Sequence, residues 1–140
     1  MLENNHEKKP KKYAGILAHP TSFPSPYGIG DLGKGAYRFI DFLANSGLNL
    51  WQVLPLGHTG FGDSPYQPFS AFAGQPLIID LDALKEYKLL SEDDFTDMPE
   101  WDPVHIDYGT LITFKTKLLK LAYERFTDPD YEDGLSTDEE

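Results

Sequence analysis

Two short apolar segments flank a single amphipathic one, and that order limits the folds open to this chain. The first, "GILAHP" within 13–20, is predicted as a short buried strand: Ile16 and Leu17 are apolar, Gly15 is small, and Pro20 forces a stop. The second, "LNLWQVLPLG" at 48–57, is an almost continuous apolar run ended by Pro55. Such a run suits a strand buried on both faces of a parallel sheet. Between them the spacing of Ala36, Phe39, Ile40 and Leu43 predicts a helix over 33–46. Asp31 is its expected N-cap, and Gly47 is placed to close it in a left-handed conformation. Strand, helix, strand is one βαβ unit, with a parallel pair and a right-handed crossover expected. A parallel sheet needs more strands than this, so the chain has the pattern of the beginning of a larger α/β protein.

Beyond residue 76 the pattern is weaker. "LIID" at 77–80 is expected as a short strand, and "LDALKEYKLL" as a short helix capped by Asp80 or Asp82. "SEDDFTDMPEWDP" is expected to be loop. A longer helix is expected from Asp107, its N-cap, with Leu111, Phe114, Lys115, Leu118, Ala122 and Phe126 near one stripe. Lys115, Lys117, Lys120 and Arg125 fall toward its C-terminal half, where the helix dipole favours cations.

Charge bounds the partners. The formal charge of −11 argues against nucleic acid and anionic membranes, which reward Lys and Arg. Much of it is concentrated at 127–140, which holds seven acidic residues and no basic one. No apolar run approaches the ~18 residues of a membrane span, and the first dozen residues lack a signal-peptide core. A cytoplasmic location is the expectation. With no cysteine there is no disulfide or thiolate site.

Most motif-like stretches fail on inspection. "GIGDLG" at 28–33 matches G-x-G-x-x-G, but seven residues separate it from the strand and no acid follows near Val53. A loop turning into a helix accounts for it better. The acidic tail would place Pro129 and Tyr131 at calcium-ligand positions, so it is no EF-hand. No two of His6, His19, His58 and His105 have i, i+4 spacing. His19 ends the first strand, where α/β proteins bind ligands; a histidine satisfied by local backbone is the other reading. Ser64 lacks the frame of a nucleophile elbow.

"TGFGDSPYQPFSAFAGQP" at 59–76 is different. Three glycines and three prolines bar regular structure, yet the stretch carries Phe61, Tyr66, Phe69 and Phe72. Rings beside Asp63, Ser64 and Gln67 suit sugars, whose flat faces stack and whose hydroxyls need polar partners. Aromatic residues that merely glue a loop to its own domain explain Phe69 and Phe72 equally well.

Taken together, "GILAHPTSFPSPYGIGDLG", "WQVLPLGHTGFGDSPYQPFSAFAGQP", "LIIDLDAL" and "HIDYGTL" resemble the N-terminal portion of 4-alpha-glucanotransferases, the amylomaltases or disproportionating enzymes. The resemblance spans roughly 13–126. It implies the first strand, first helix and second strand of a (β/α)8 barrel at 13–57. A substrate-side loop and the start of an inserted segment follow at 58–126, between a flexible 1–12 and an acidic tail at 127–140. It implies transfer of α-1,4-glucan segments between maltooligosaccharides with retention, using carboxylates and no cofactor or metal. The family's three catalytic carboxylates match no residue here, so the chain alone is expected to be inactive. The substrate-binding residues implied are Tyr66 at the donor sugar, Ser64, Asp63 and Gln67 beside it, and Phe61 further out; His19 and Pro55 would lie near the barrel mouth. Phe61 stands where many members have Tyr, His58 for a usual Pro, Pro68 for a usual Ser and Gln75 for a usual Asn. Two alternatives remain: a non-catalytic glucan-binding module, and part of a related α-amylase-type hydrolase.

Overall fold

The computed structural model describes residues 12–58, 70 and 72–131. The two apolar segments form strands β1 (Gly15–Leu17) and β2 (Leu50–Gln52), paired in parallel with Gly15 opposite Leu50, Ile16 opposite Trp51 and Leu17 opposite Gln52. The amphipathic segment between them is helix α1 (Lys34–Asn45). The βαβ unit is therefore present, with helix ends within one residue of those expected.

Its caps differ in instructive ways. Gly47 does close α1: its φ is +69°, its N–H donates to Ala44 O and Leu48 N–H to Leu43 O. These two bonds make a Schellman motif, which satisfies carbonyls the helix leaves open. Asp31 is not the N-cap. Gly33 holds that position, and the buried Asp31 carboxylate accepts from Gly33 N at 3.0 Å and from the Ser25 hydroxyl at 2.8 Å. The loop folds Asp31 inward, where it braces the turn ahead of the helix instead of capping the helix's first orphan amides.

The strands are not buried on both faces as expected. Leu17 is 55% and Leu50 51% exposed, and among the described residues the sheet has two strands. One side is sealed by rings: Phe23, Phe39 of α1 and Trp51 of β2 lie with centroids 5.1 to 5.7 Å apart.

The larger core lies elsewhere. Two more helices, α2 (Leu81–Glu86) and α3 (Tyr108–Thr127), build it. Helix α3 starts at Asp107, whose carboxylate accepts from Thr110 N as expected of its N-cap. It buries Leu111, Phe114, Lys115, Leu118 and Ala122 along one stripe. Tyr27, Leu81, Leu89 and Leu90 close over part of it; Ile29 and Leu77 pack at Leu111. Each fully buried leucine stabilises by roughly 1.5–3 kcal/mol. Phe126, expected in this stripe, is exposed. At 3.6 residues per turn the drift carries it to the edge, and Arg125 takes the inward place.

Two further expectations fail locally. Residues 77–80 form no strand; Pro76–Ile78 is a 3-10 turn, with Pro76 in its first turn and the Gln75 side chain accepting from Leu77 N. The segment expected as plain loop contains a 3-10 turn at Glu92–Phe95, fastened where Asp94 accepts from both Ser91 N and the Ser91 hydroxyl. Helix α2 is capped by Asp80, which accepts from Asp82 N at 2.9 Å. Asp82 itself faces Tyr27 and Lys85.

Candidate functional site

The site develops from the C-terminal end of β1. Ala18 continues the pairing, with its N–H donating to Gln52 O and its carbonyl accepting from the Trp51 indole N–H at 2.8 Å. This places His19 at the end of the strand, as the N-cap of a 3-10 turn at Pro20–Ser22. Its Nδ1 accepts from Thr21 N at 3.4 Å and lies 2.7 Å from the Thr21 hydroxyl. An Nδ1 that accepts a backbone N–H carries no proton, so the hydrogen of a neutral ring sits on Nε2. That atom is buried and has no hydrogen-bond partner among the described residues. Nδ1 is thus satisfied locally, and Nε2 is not.

The loop after His19 explains the glycine motif. A side chain on Gly30 would meet Pro20 O at 2.2 Å and Phe23 N at 2.6 Å, and one on Gly28 would strike the Trp101 ring. On Gly33 it would meet the Asp80 carboxylate at 2.5 Å. Protein atoms fill each place where a Cβ would go, so packing accounts for the three glycines. Between this loop and residues 98–106 lies a cleft of about 1040 Å³, walled by Phe23, Ser25, Pro26, Trp101, Asp102 and His105. The Trp101 indole N–H is buried without a partner among the described residues.

Two charged centres join the loop to the helices. The Tyr27 hydroxyl donates to Asp82, which also pairs with Lys85 at 3.0 Å. Burial, then the bond to Asp82, pushes the Tyr27 hydroxyl up to about 12. Lys85 is pushed up as well: burial opposes its charge, but Tyr27, Asp82 and Glu92 outweigh that. The second centre is Lys115, which donates to Leu77 O at 2.7 Å and Ile79 O at 3.1 Å. Burial pulls it down to about 8, against the pull of Asp31 and Asp80. Burial also raises Asp80, with Asp31 and Asp82 adding to the effect.

Of the expected sugar contacts, His19 is placed as above. Phe61, Asp63, Ser64, Tyr66 and Gln67 lie outside the described residues. The ends of their stretch are described: Gly57 bridges antiparallel to Gly74, and Gln75 N–H donates to Leu56 O at 2.8 Å. Sequence reasoning does not single out Asp31 or Lys115 as interior charges. The available signal is a lysine inside an apolar stripe, at a position where the helix buries both neighbours on its face.

The 4-alpha-glucanotransferase family model matches residues 18–138. The chain is 48% identical over 116 residues to a 4-alpha-glucanotransferase of Synechocystis, and 50% identical over 115 residues to one of Clostridium butyricum. These matches cover 83% and 81% of this chain but 23% and 24% of those relatives, so the chain spans about a quarter of their length. It also superposes on an amylomaltase from Streptococcus agalactiae, solved in complex with acarbose, with a TM-score of 0.76 at 43% identity; 81% of this chain and 23% of that one are covered. With the parallel strand pair, the His19 turn and the close-packed glycine loop falling within or beside the matched region, the chain belongs to the 4-alpha-glucanotransferase family.

Proposed function

We propose that β1, α1 and β2 are the first strand, first helix and second strand of a (β/α)8 barrel, and that residues 58–126 carry its substrate-side loop and the start of an insertion. The barrel would transfer α-1,4-glucan segments between maltooligosaccharides with retention. Its nucleophile and acid/base would come from outside these 140 residues, since the family's catalytic carboxylates match none of them. The observation that carries this reading is the superposition on an amylomaltase solved in complex with acarbose. We assign Tyr66 to stacking on the donor sugar, Asp63, Ser64 and Gln67 to its hydroxyls, and Phe61 to an outer ring. His19 contributes from the strand end, where such barrels place their sites.

Glucose release from maltotriose is the direct test. The full-length chain should release glucose with transfer products, and the 140-residue chain should release none above a blank. Release by the short chain would overturn the assignment of the chemistry to residues outside it. In the full-length chain Tyr66→Ala should raise KM for maltotriose about tenfold, a loss of about 1.4 kcal/mol. An unchanged KM removes Tyr66 from the sugar site.

A further inference from the structure

The rings of Phe23, Phe39 and Trp51 seal the βαβ unit, while α2 and α3 bury an apolar stripe of their own. Between them lie the loop ahead of α1 and the turn at Pro76–Ile78. Leu32 N donates to Ile78 O at 2.9 Å, from the loop to the turn. Lys115 Nζ reaches from α3 to the same turn, donating to Leu77 O at 2.7 Å and Ile79 O at 3.1 Å.

Lys115 is 0% exposed, and the charged groups facing it are Asp31, itself buried, and Asp80. The two carboxylates also face each other across Gly33, where a Cβ would meet Asp80 Oδ2 at 2.5 Å and Asp31 Oδ1 at 2.9 Å. Neighbouring carboxylates repel, and a cation beside both offsets that. Met would fill the space of Lys115 but leave the carboxylates uncompensated and two carbonyls without their donor.

The walls of the 1040 Å³ cleft belong to the segments so joined. One wall runs from Thr21 to Gly30, whose N–H donates back to Thr21 O, and leads directly into Asp31. The other, 98–106, leads into α3, and its Trp101 ring packs on Phe114, the chain neighbour of Lys115. The walls meet where Gly28 lies against the Trp101 ring.

We propose that Lys115, Asp31 and Asp80 form a buried charged junction that fixes the separation of the cleft's two walls. The junction ties the loop ahead of α1 to α3 through the turn at 76–79, and it does not depend on the glucan reading.

Hydrogen exchange on the full-length chain, with isotope-labelled tryptophan, tests this. Two indole N–H groups serve as matched probes: that of Trp101, buried in the cleft wall, and that of Trp51, which donates to Ala18 O inside the βαβ unit. In Lys115→Met the Trp101 indole and the Gly30, Leu32 and Ile79 amides should exchange about tenfold faster or more, and the Trp51 indole should keep its rate within about twofold. An unchanged Trp101 overturns the proposal. Equal acceleration of both indoles also overturns it, because that is general loosening of the fold. Asp31→Asn should accelerate the same groups. In the double variant the acceleration should fall below the product of the two single ones; a full product means that the two residues act independently and the junction fails. Should Lys115→Met not fold, Asp31→Asn decides alone: acceleration at Ile79 and Trp101 with Trp51 unchanged supports the junction, and an effect confined to 25–33 overturns it.

Discussion

Arg125 meets Asp94 through two parallel bonds, Nη1 to Oδ2 at 2.6 Å and Nη2 to Oδ1 at 3.0 Å, across 31 residues of sequence. The same Nη1 also donates to Leu89 O at 3.0 Å. The pair holds the turn at Glu92–Phe95 to the last turns of α3. Arg125→Lys keeps the charge but loses the fork. It should cost about 2 kcal/mol in a urea melt, the scale for losing a charged hydrogen bond that is partly shielded from water. A melt unchanged within about 0.5 kcal/mol would show that the pair contributes nothing beyond an ordinary surface contact.

The same pair sets an acid limit. Arg125 first, with help from Ser91, holds the Asp94 carboxyl down at about 2, against an ordinary value of 3.8. A carboxylate depressed in the folded state stabilises above its unfolded pKa and loses that contribution as pH falls toward the folded one. Stability should therefore drop between about pH 4 and pH 2, and the drop should be smaller in Asp94→Asn. Parallel slopes for the two proteins would contradict this.

Lys115 acts at alkaline pH, where burial disfavours its charged form. It titrates at about 8 when folded and at 10.5 when unfolded, so between those values the unfolded chain binds more protons. Stability should rise from about pH 8 to about pH 10, by roughly 2 kcal/mol. Above about pH 10 the trend should turn, because Tyr27, raised to about 12, keeps its proton in the folded state after the unfolded chain has lost it. Lys115→Met should abolish the rise and keep the turn; a rise that survives the substitution would assign it to another group.

Two alanine substitutions at glycine should cost different amounts for different reasons. Gly47 has φ +69° and open space within 4 Å of where a Cβ would stand, so Gly47→Ala meets only the left-handed penalty of about 1 kcal/mol. Gly30→Ala places a methyl 2.2 Å from Pro20 O and should cost about 3 kcal/mol or more. Thermal melts that rank them in the reverse order would contradict the packing of this loop.

Leu17, Leu50, Tyr37 and Phe42 are all more than half exposed around the two-stranded sheet. The 140-residue chain on its own should therefore self-associate, since among the described residues the sheet has two strands and no partner on either edge. Replacing Leu17 and Leu50 together by Lys should shift it toward monomer in size-exclusion chromatography. The same double change in a full barrel should destabilise it. An unaltered oligomer distribution would move the sticky surface elsewhere.

What is legible in the sequence divides by the range of the interactions involved. The βαβ unit, the closure at Gly47 and the Asp107 cap are all readable, because each depends on patterns local to its own segment. Leu77–Ile79 looks like a strand because three branched or apolar residues in a row fit one. Pro76 and the Gln75 side chain turn them into a 3-10 turn, and Lys115, 38 residues from Leu77, secures it. Asp31 looks like a cap because it precedes a helix, yet its partners are set by how the loop folds back. For the candidate site, residue chemistry singles out His19 but not the unequal treatment of its two nitrogens, which depends on Thr21 and on burial.

The grip of Lys115 on residues 77 and 79 also has an order in time. Synthesis runs from the N-terminus at about 5–20 residues per second, so the turn leaves the ribosome roughly 2–8 seconds before the lysine that fastens it. During that interval the carbonyls of Leu77 and Ile79 lack the donor that holds them in the finished fold. The turn is thus completed only once α3 has been made, although its sequence is finished well before.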